Sequence, residues 1–206
     1  MQTALPLQIG DRQDVQGLYR GLTGKIVLVV SAAALVALCA HVSIPLYFTP
    51  VPLTLQTLAV LLVGLTLGPS LGFYAMLLYL AEGAMGLPVF SPQGLGGIAQ
   101  LLGPSGGFLL AFPFAAATAG GLVRAVRTGG YYFFAALLAG ATATVLLLAG
   151  GAGWMAHLYH LSPSAAWNFA VAPFLPGETI KVCAAVSAYS LLHRRHGSWF
   201  RGQSSE

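Results

Sequence analysis

Three ionisable side chains interrupt long apolar stretches of this 206-residue chain. Glu82 lies in one stretch, and Glu178 and Lys181 lie together in another, within the segment PFLPGETIK. A charge placed at the centre of a bilayer costs at least about 2.5 to 3.5 kcal/mol, so such residues usually face a cavity or one another. These three residues are therefore the first candidates for a functional site.

The spacing of Glu178 and Lys181 places both on one face of a helix. They follow Pro176-Gly177, where we expect irregular backbone and a helix start whose free N–H groups would add donors. A carboxylate acceptor beside an ammonium donor suits a small molecule that carries both N–H and carbonyl or carboxylate groups. The alternative interpretation is a structural ion pair that holds the helix against its neighbours.

Three polar residues in these runs allow more than one interpretation. Gln56 and Thr57 begin an apolar run and could line the same cavity, although Thr57 could equally bond the backbone carbonyl four residues earlier. Glu82 could belong to the site, be neutral and hydrogen-bonded among the helices, or reach outer water because Pro88 soon follows. We keep Gln56 and Glu82 as candidate binding residues.

Motifs typical of other kinds of site are weak or missing. His157 and His160 lack a neighbouring carboxylate or cysteine, so a surface pair is favoured over half a metal site. Trp154, Tyr159 and Trp167 are typical interfacial anchors, with the capping of a ligand pocket as the alternative. The sequence contains no phosphate-binding GxxxxGK[ST] loop and no G-x-S-x-G or H-E-x-x-H motif. We expect no metal, no cofactor and no catalytic residue.

The composition identifies the surroundings of these residues. Hydrophobic residues make up 57% of the chain and charged residues only 7%, with a mean hydropathy of +0.79. Soluble domains carry about 25% charged residues, so the apolar surface of this chain must face membrane lipid. The net charge of +4 comes from basic residues scattered at segment ends, which argues against a nucleic-acid partner.

Six apolar runs approach the length needed to cross a bilayer. We predict an all-α integral membrane protein with six transmembrane helices, over about 24–40, 53–67, 71–87, 107–123, 131–151 and 165–192. With six spans, eight of the nine basic residues fall on one side and the ninth, Lys181, lies in a span. The positive-inside rule then makes both termini cytoplasmic. We predict tails over 1–23 and 193–206 around a membrane domain over 24–192, with no secretory signal.

Two proline-rich segments connect these helices. Residues 41–57 contain three prolines and are predicted to be extended. Residues 88–106 contain three prolines and five glycines but keep apolar side chains, so we expect an irregular loop that folds back onto the helices as a lid. Ala33 and Ala37 form a small-xxx-small pattern for close helix packing, within the chain or with a partner.

These segments resemble the BioY family, the biotin-specific S components of energy-coupling factor (ECF) transporters. Four motifs in the family's order carry the resemblance: IPLYFTPVPLTLQTLAVLLVGLTLGP, LYLAEGAMGLPVF, GPSGGFLLAF and PFLPGETIK. The resemblance covers most of the chain from about residue 33 to residue 192. It implies the ECF S-component fold in the prokaryotic cytoplasmic membrane, and capture of biotin from outside with a T protein and two ABC ATPases as partners.

The resemblance also implies roles for individual residues. The family's PFLPGD-x-x-K motif lines the biotin site with its acid and lysine, which here are Glu178, in place of the usual aspartate, and Lys181. The aromatic residue after the double glycine is commonly tyrosine and here is Phe108, so a hydroxyl contact is lost. Further candidates for biotin binding are Gln56, Glu82, Phe90 and Gly97. The resemblance places Ala33 and Ala37 on the surface that docks on the T protein.

The ureido ring of biotin offers two N–H donors and one carbonyl acceptor. Our hypothesis is that Glu178 accepts from the ureido N–H groups and that Lys181 donates to the carbonyl or another substrate oxygen. Apolar lid residues would cover the thiophane ring and valeryl chain. The competing hypotheses are an S component for another vitamin, a membrane-embedded enzyme that pairs Glu82 with Glu178, and a scaffold without a ligand.

Overall fold

The protein is a bundle of apolar helices with one short β-hairpin. The computed structural model describes residues 21–126 and 132–201, with side chains described as far as residue 192. The elements in chain order are α1 Leu22–His41, β1 Ser43–Ile44, β2 Leu53–Thr54, α2 Gln56–Leu67, α3 Pro69–Ala84, α4 Gly97–Leu102, α5 Gly106–Val126, α6 Tyr132–Tyr159, α7 Pro163–Ala170 and α8 Leu175–Arg201. Helix α5 packs against α2, α3, α4 and α6 and therefore lies at the centre of the bundle.

Three of the helices in the described part of the chain, α1, α5 and α6, are long and apolar enough to cross a membrane. The pair α7 and α8, bent by 54°, makes a fourth if it is one span. Helix α2 has 12 residues and so measures about 18 Å, less than a bilayer core of about 30 Å. The prediction of a mostly helical membrane protein is confirmed at this level.

The predicted end of the fifth run is wrong. The fifth run was expected to end at Gly151, but α6 continues to Tyr159. The glycines that suggested a helix end instead let α6 approach α5, since a Cβ on Gly150 would lie 3.2 Å from the carbonyl oxygen of Gly107. The sixth run is divided, as the predicted helix start near Pro176-Gly177 implies, because turns at residues 171–174, which include Pro173, separate α7 from α8.

The two proline-rich segments close one end of the bundle. The strands β1 and β2 pair antiparallel, so the segment predicted to be extended forms a hairpin and α2 begins at Gln56 rather than at residue 53. We call residues 88–105 the lid loop; it contains α4. Its Phe90, Ser91 and Gln100 are buried whereas its Leu95 is 82% exposed, so the loop folds back on the helices with only part of its apolar surface.

Backbone contact between α2 and α5 requires glycine. A Cβ on Gly64 would lie 2.5 Å from the carbonyl oxygen of Ala116, and a Cβ on Gly120 would lie 2.5 Å from the carbonyl carbon of Gly68. Real Cβ atoms do not approach other atoms this closely. At the end of the same contact, the guanidinium of Arg124 donates to the carbonyl oxygen of Leu67 over 2.9 Å. This bond supplies a partner for a carbonyl group that has none within α2.

The predicted pair of small residues on α1 does not form one exposed surface. Ala33 has no exposed area and belongs to the hydrophobic core, whereas Ala37 is half-buried. Ala33 therefore cannot contact a partner protein, which corrects the role that the resemblance implied for it. Its methyl group instead allows α1 to pack closely within the chain.

The predicted cytoplasmic tails lie mostly outside the described residues. Residues 1–20 are outside the described residues, and so is Arg127 in the predicted loop between the fourth and fifth spans. The predicted C-terminal tail begins inside α8, which continues to Arg201.

Candidate functional site

A narrow cavity lies between α2, α5, α6 and α8 beneath the hairpin and the lid loop. With its open mouth included, the cavity has a volume of about 570 Å³. The wall is mainly apolar, with polar groups at a few points. This combination is typical of small-molecule sites.

Three side chains from two helices form a hydrogen-bonded cluster in the cavity wall. The ammonium of Lys181 lies 2.6 Å from Oε1 of Glu178, and both side chains are about nine-tenths buried or more. Thr57 on α2 connects to both, since its hydroxyl donates to Glu178 Oε1 and accepts from Lys181 Nζ, each over 2.9 Å. The polarity of this cluster is set, because an ammonium only donates and a carboxylate only accepts.

The cluster keeps free hydrogen-bonding capacity. The second carboxylate oxygen of Glu178, Oε2, is buried and has no hydrogen-bond partner among the described residues. An ammonium has three N–H donors, of which the contacts to Glu178 and Thr57 use two. A buried polar atom without a partner is costly, so the cluster is suited to a ligand that brings both a donor and an acceptor.

The break between α7 and α8 positions this pair. Helix α8 begins at Leu175, which places Glu178 in its first turn, where the positive end of the helix dipole stabilises a carboxylate. The amide of Glu178 donates to the carbonyl oxygen of Phe174 over 2.8 Å. The expected helix break is confirmed, but its turns lie at residues 171–174, and Pro176-Gly177 already belongs to α8.

Gln56 also lines the cavity, and each end of its side-chain amide bonds to another side chain of the protein. Its side-chain carbonyl accepts from the Thr54 hydroxyl over 2.9 Å, and its amide nitrogen donates to the Tyr79 hydroxyl. Tyr79 in turn donates to the carbonyl oxygen of Val89 in the lid loop over 3.1 Å. A continuous polar chain thus connects the hairpin, the cavity wall and the lid loop.

Aromatic rings form the apolar wall. Phe108 at the start of α5 packs against Phe174, with ring centroids 5.8 Å apart. Behind Phe108 lies Gly151 of α6, where a Cβ would lie 2.2 Å from the ring. Phe112 lines the cavity one turn further along α5 and stacks on Tyr79. These rings provide flat apolar surface for a ligand body.

The lid loop contributes polar groups at the mouth of the cavity. Gln100 is buried; its side-chain oxygen accepts from the amide of Gly96 over 3.1 Å, and its side-chain nitrogen contacts the carbonyl oxygen of Ser91 at 3.4 Å. Sequence reasoning missed Gln100, Ser91 and the structural role of Thr57. The one available signal for Gln100 was an amide within the otherwise apolar segment GIAQLL.

The structure brings some sequence candidates together and separates others. Glu178, Lys181, Gln56 and Phe108 line the central cavity. Phe90 and Gly97 lie instead along a second pocket on the lid loop. The ring of Phe90 packs on that of Tyr79, with ring centroids 5.4 Å apart. Glu82 is half-buried and lines a separate groove between α1 and the end of α3.

The aromatic and histidine residues near the end of α6 are exposed or serve the lid loop. His157 and His160 are exposed, and no group of three or more potential metal ligands occurs among the residues described. Tyr159 and Trp167 are about half-exposed, at 47% and 53%. Trp154 donates to the carbonyl oxygen of Gly103 over 2.9 Å and so fastens the end of the lid loop to α6.

Comparison with known proteins gives consistent matches over most of the chain. The BioY family model matches residues 10–198. The chain is 37% identical over 165 residues to the probable biotin transporter BioY of Pyrococcus horikoshii, a match that covers 79% of this chain and 91% of that protein. It is 37% identical over 159 residues to the biotin transporter BioY of Rhodobacter capsulatus, covering 73% of this chain and 83% of that one.

The fold is similar to a solved structure. The crystal structure of the S-component for biotin from an ECF-type ABC transporter matches with a TM-score of 0.76 and 26% sequence identity. The match covers 89% of this chain and 94% of that chain.

Proposed function

This chain belongs to the BioY family, and on that premise we propose that it captures biotin from outside the cell and delivers it across the membrane. It is a multi-pass protein of the prokaryotic cell membrane. The observation that carries the proposal is the buried pair of Glu178 and Lys181 in a mainly apolar cavity, where one carboxylate oxygen has no partner among the described residues. Its chemistry complements a cyclic urea attached to an apolar body.

In the proposed complex, Glu178 Oε2 accepts from a ureido N–H group and Lys181 donates its remaining N–H to the ureido carbonyl. Thr57 holds both side chains in place through its two hydrogen bonds. The rings of Phe108 and Phe174 cover the thiophane ring and valeryl chain.

We further propose that the chain spans the membrane six times with both termini in the cytoplasm. The short helices α2 and α3 would cross together with adjoining non-helical backbone, which membranes tolerate where protein buries it. Arg124 contacts the end of α2 at Leu67, so these ends lie on one side, which the positive-inside rule makes cytoplasmic. The segments 1–23 and 193–206 would be cytoplasmic, the latter partly helical.

Energy for uptake would come from partner subunits. The sequence contains no phosphate-binding loop, so the proposed partners are an ECF T protein and two ABC ATPases. Since Ala33 is buried, only Ala37 of the predicted alanine pair remains a candidate for contact with the T protein.

Calorimetric titration of the purified protein tests the biotin proposal. We expect saturable binding of about one biotin per chain and much weaker binding of thiamine and riboflavin. The Glu178→Gln variant removes a charged acceptor, and hydrogen bonds to charged groups contribute about 1.5 to 3 kcal/mol. Its affinity for biotin should therefore fall by at least about tenfold.

The control for this titration is Glu82→Gln, which makes the same chemical change in the separate groove. We expect Glu82→Gln to bind biotin as the wild type does. Wild-type affinity in Glu178→Gln would refute the assigned binding mode, and binding of another vitamin in place of biotin would refute the substrate.

The Gly151→Ala substitution tests whether Phe108 forms the substrate wall. The added methyl group would lie 2.2 Å from the Phe108 ring and must push it toward the cavity. We expect biotin affinity to fall about tenfold by titration, which corresponds to roughly 1.4 kcal/mol. Gly153→Ala is the matched control, because a Cβ there meets nothing within 4 Å. Equal affinities in both variants would show that the ring does not contact substrate.

A further inference from the structure

The geometry points to Tyr79 as a positioning residue that makes Gln56 a hydrogen-bond donor, and only a donor, toward the carbonyl group of the substrate. This inference rests on the proposed function, since the substrate it concerns is biotin. Tyr79 has no exposed area and does not line the cavity, whereas Gln56 does. Tyr79 therefore acts on the substrate through Gln56.

The direction of the polar chain follows from its last member. The carbonyl oxygen of Val89 can only accept, so the hydroxyl of Tyr79 must donate to it. The single hydroxyl proton is then used, and Tyr79 can only accept from Gln56. The side chain of Gln56 must consequently direct its NH₂ group toward Tyr79.

This orientation decides what Gln56 offers to the cavity. Its side-chain carbonyl is turned to Thr54, whose hydroxyl donates to it over 2.9 Å. The amide nitrogen carries two N–H groups, and Tyr79 takes one. The second N–H is the group that remains for a ligand. A carbonyl group has two lone pairs, so the ureido carbonyl can accept from Gln56 as well as from Lys181.

Thr54 alone would not determine this orientation. A threonine hydroxyl can donate or accept, so it can pair with either end of the Gln56 side chain. Without the Tyr79 hydroxyl, the amide could turn over and present its oxygen to the substrate. The carbonyl group of Val89 in the lid loop therefore determines, through Tyr79, that Gln56 presents a donor to the cavity.

The test compares biotin with 2-iminobiotin, in which an imino nitrogen replaces the ureido oxygen. At neutral pH the ring is then a guanidinium, which supplies only donors. Tyr79→Phe keeps the ring packed on Phe90 and Phe112 and removes only the hydroxyl. We expect the preference for biotin over 2-iminobiotin to fall about 5- to 10-fold in titrations of this variant. Tyr74→Phe, an exposed tyrosine on the same helix, should leave the preference unchanged.

A second background distinguishes positioning from a general structural effect. In Gln56→Met, adding Tyr79→Phe should change the preference no further, because the side chain that Tyr79 orients is gone. Should Tyr79→Phe fail to fold, Thr54→Val removes the other partner of the amide; because Tyr79 still holds the NH₂ group, the preference should stay within about twofold of wild type.

The outcomes separate this inference from the proposed function. A preference within twofold of wild type in Tyr79→Phe, or an equal shift in the Gln56→Met background, would overturn the role of Tyr79 while wild-type biotin binding stands. If Tyr79→Phe cannot be folded, a fall of about 5-fold or more in the preference of Thr54→Val would overturn it instead, because Thr54 would then set the orientation of the amide. A wild-type protein that binds no biotin would overturn both.

Discussion

Replacing Lys181 with methionine is expected to lower the free energy of unfolding by about 3 to 5 kcal/mol and to remove measurable biotin binding. Methionine has a similar length but no charge. Glu178 is 5% exposed, so the variant would leave a buried carboxylate without its cation. Breaking a buried pair in this way costs more than the pair itself contributes, because desolvation of the remaining charge is no longer offset. Thermal unfolding in detergent, followed by circular dichroism, measures the loss.

The double variant Glu178→Gln/Lys181→Met is the decisive companion. It removes both charges, so we expect its stability to return to within about 1 kcal/mol of the wild type. Biotin binding should stay absent, because both polar anchors are gone. Lys25→Met, at an exposed position of α1, should alter neither property. A double variant as unstable as Lys181→Met would show that the stability loss does not come from the uncompensated charge.

Replacing Gly120 with alanine is expected to destabilise the bundle by about 2 to 3 kcal/mol. The added methyl group would lie 2.5 Å from the carbonyl carbon of Gly68 and 2.6 Å from the nitrogen of Pro69. Both are backbone atoms, so no side-chain rotation can relieve the contact and α5 must move away from α2. The thermal unfolding temperature measures this loss. Because α2 forms part of the cavity wall, the affinity of the variant for biotin should also fall.

The neighbouring glycine provides a matched control. A Cβ on Gly121 meets nothing within 4 Å, and alanine favours helix over glycine by up to about 1 kcal/mol. Gly121→Ala should therefore be neutral or slightly stabilising. Equal unfolding temperatures for the two variants would mean that α5 and α2 do not pack at the distance seen here.

The sequence by itself determined the environment of this protein and the chemistry at its centre. Too few charged residues are present to hydrate a globule, which requires lipid around the chain. The spacing of Glu178 and Lys181 placed them on one helical face, and the structure joins them at 2.6 Å. Prolines predicted that residues 41–57 are extended, since proline cannot continue a helix, and the structure pairs two short strands there. Each of these inferences depends on local spacing or on composition.

Only the tertiary structure decided which side of each helix faces the cavity. Thr57 bonds to Glu178, 121 positions later, and Glu82 lies in a different groove. Ala33 is buried although its spacing matched an exposed docking pattern. In a soluble helix the polar face reveals the orientation, but here apolar residues surround the helices on nearly every side. Periodicity then cannot distinguish lipid from protein, so the packing of α2, α5 and α8 sets the direction in which each side chain points.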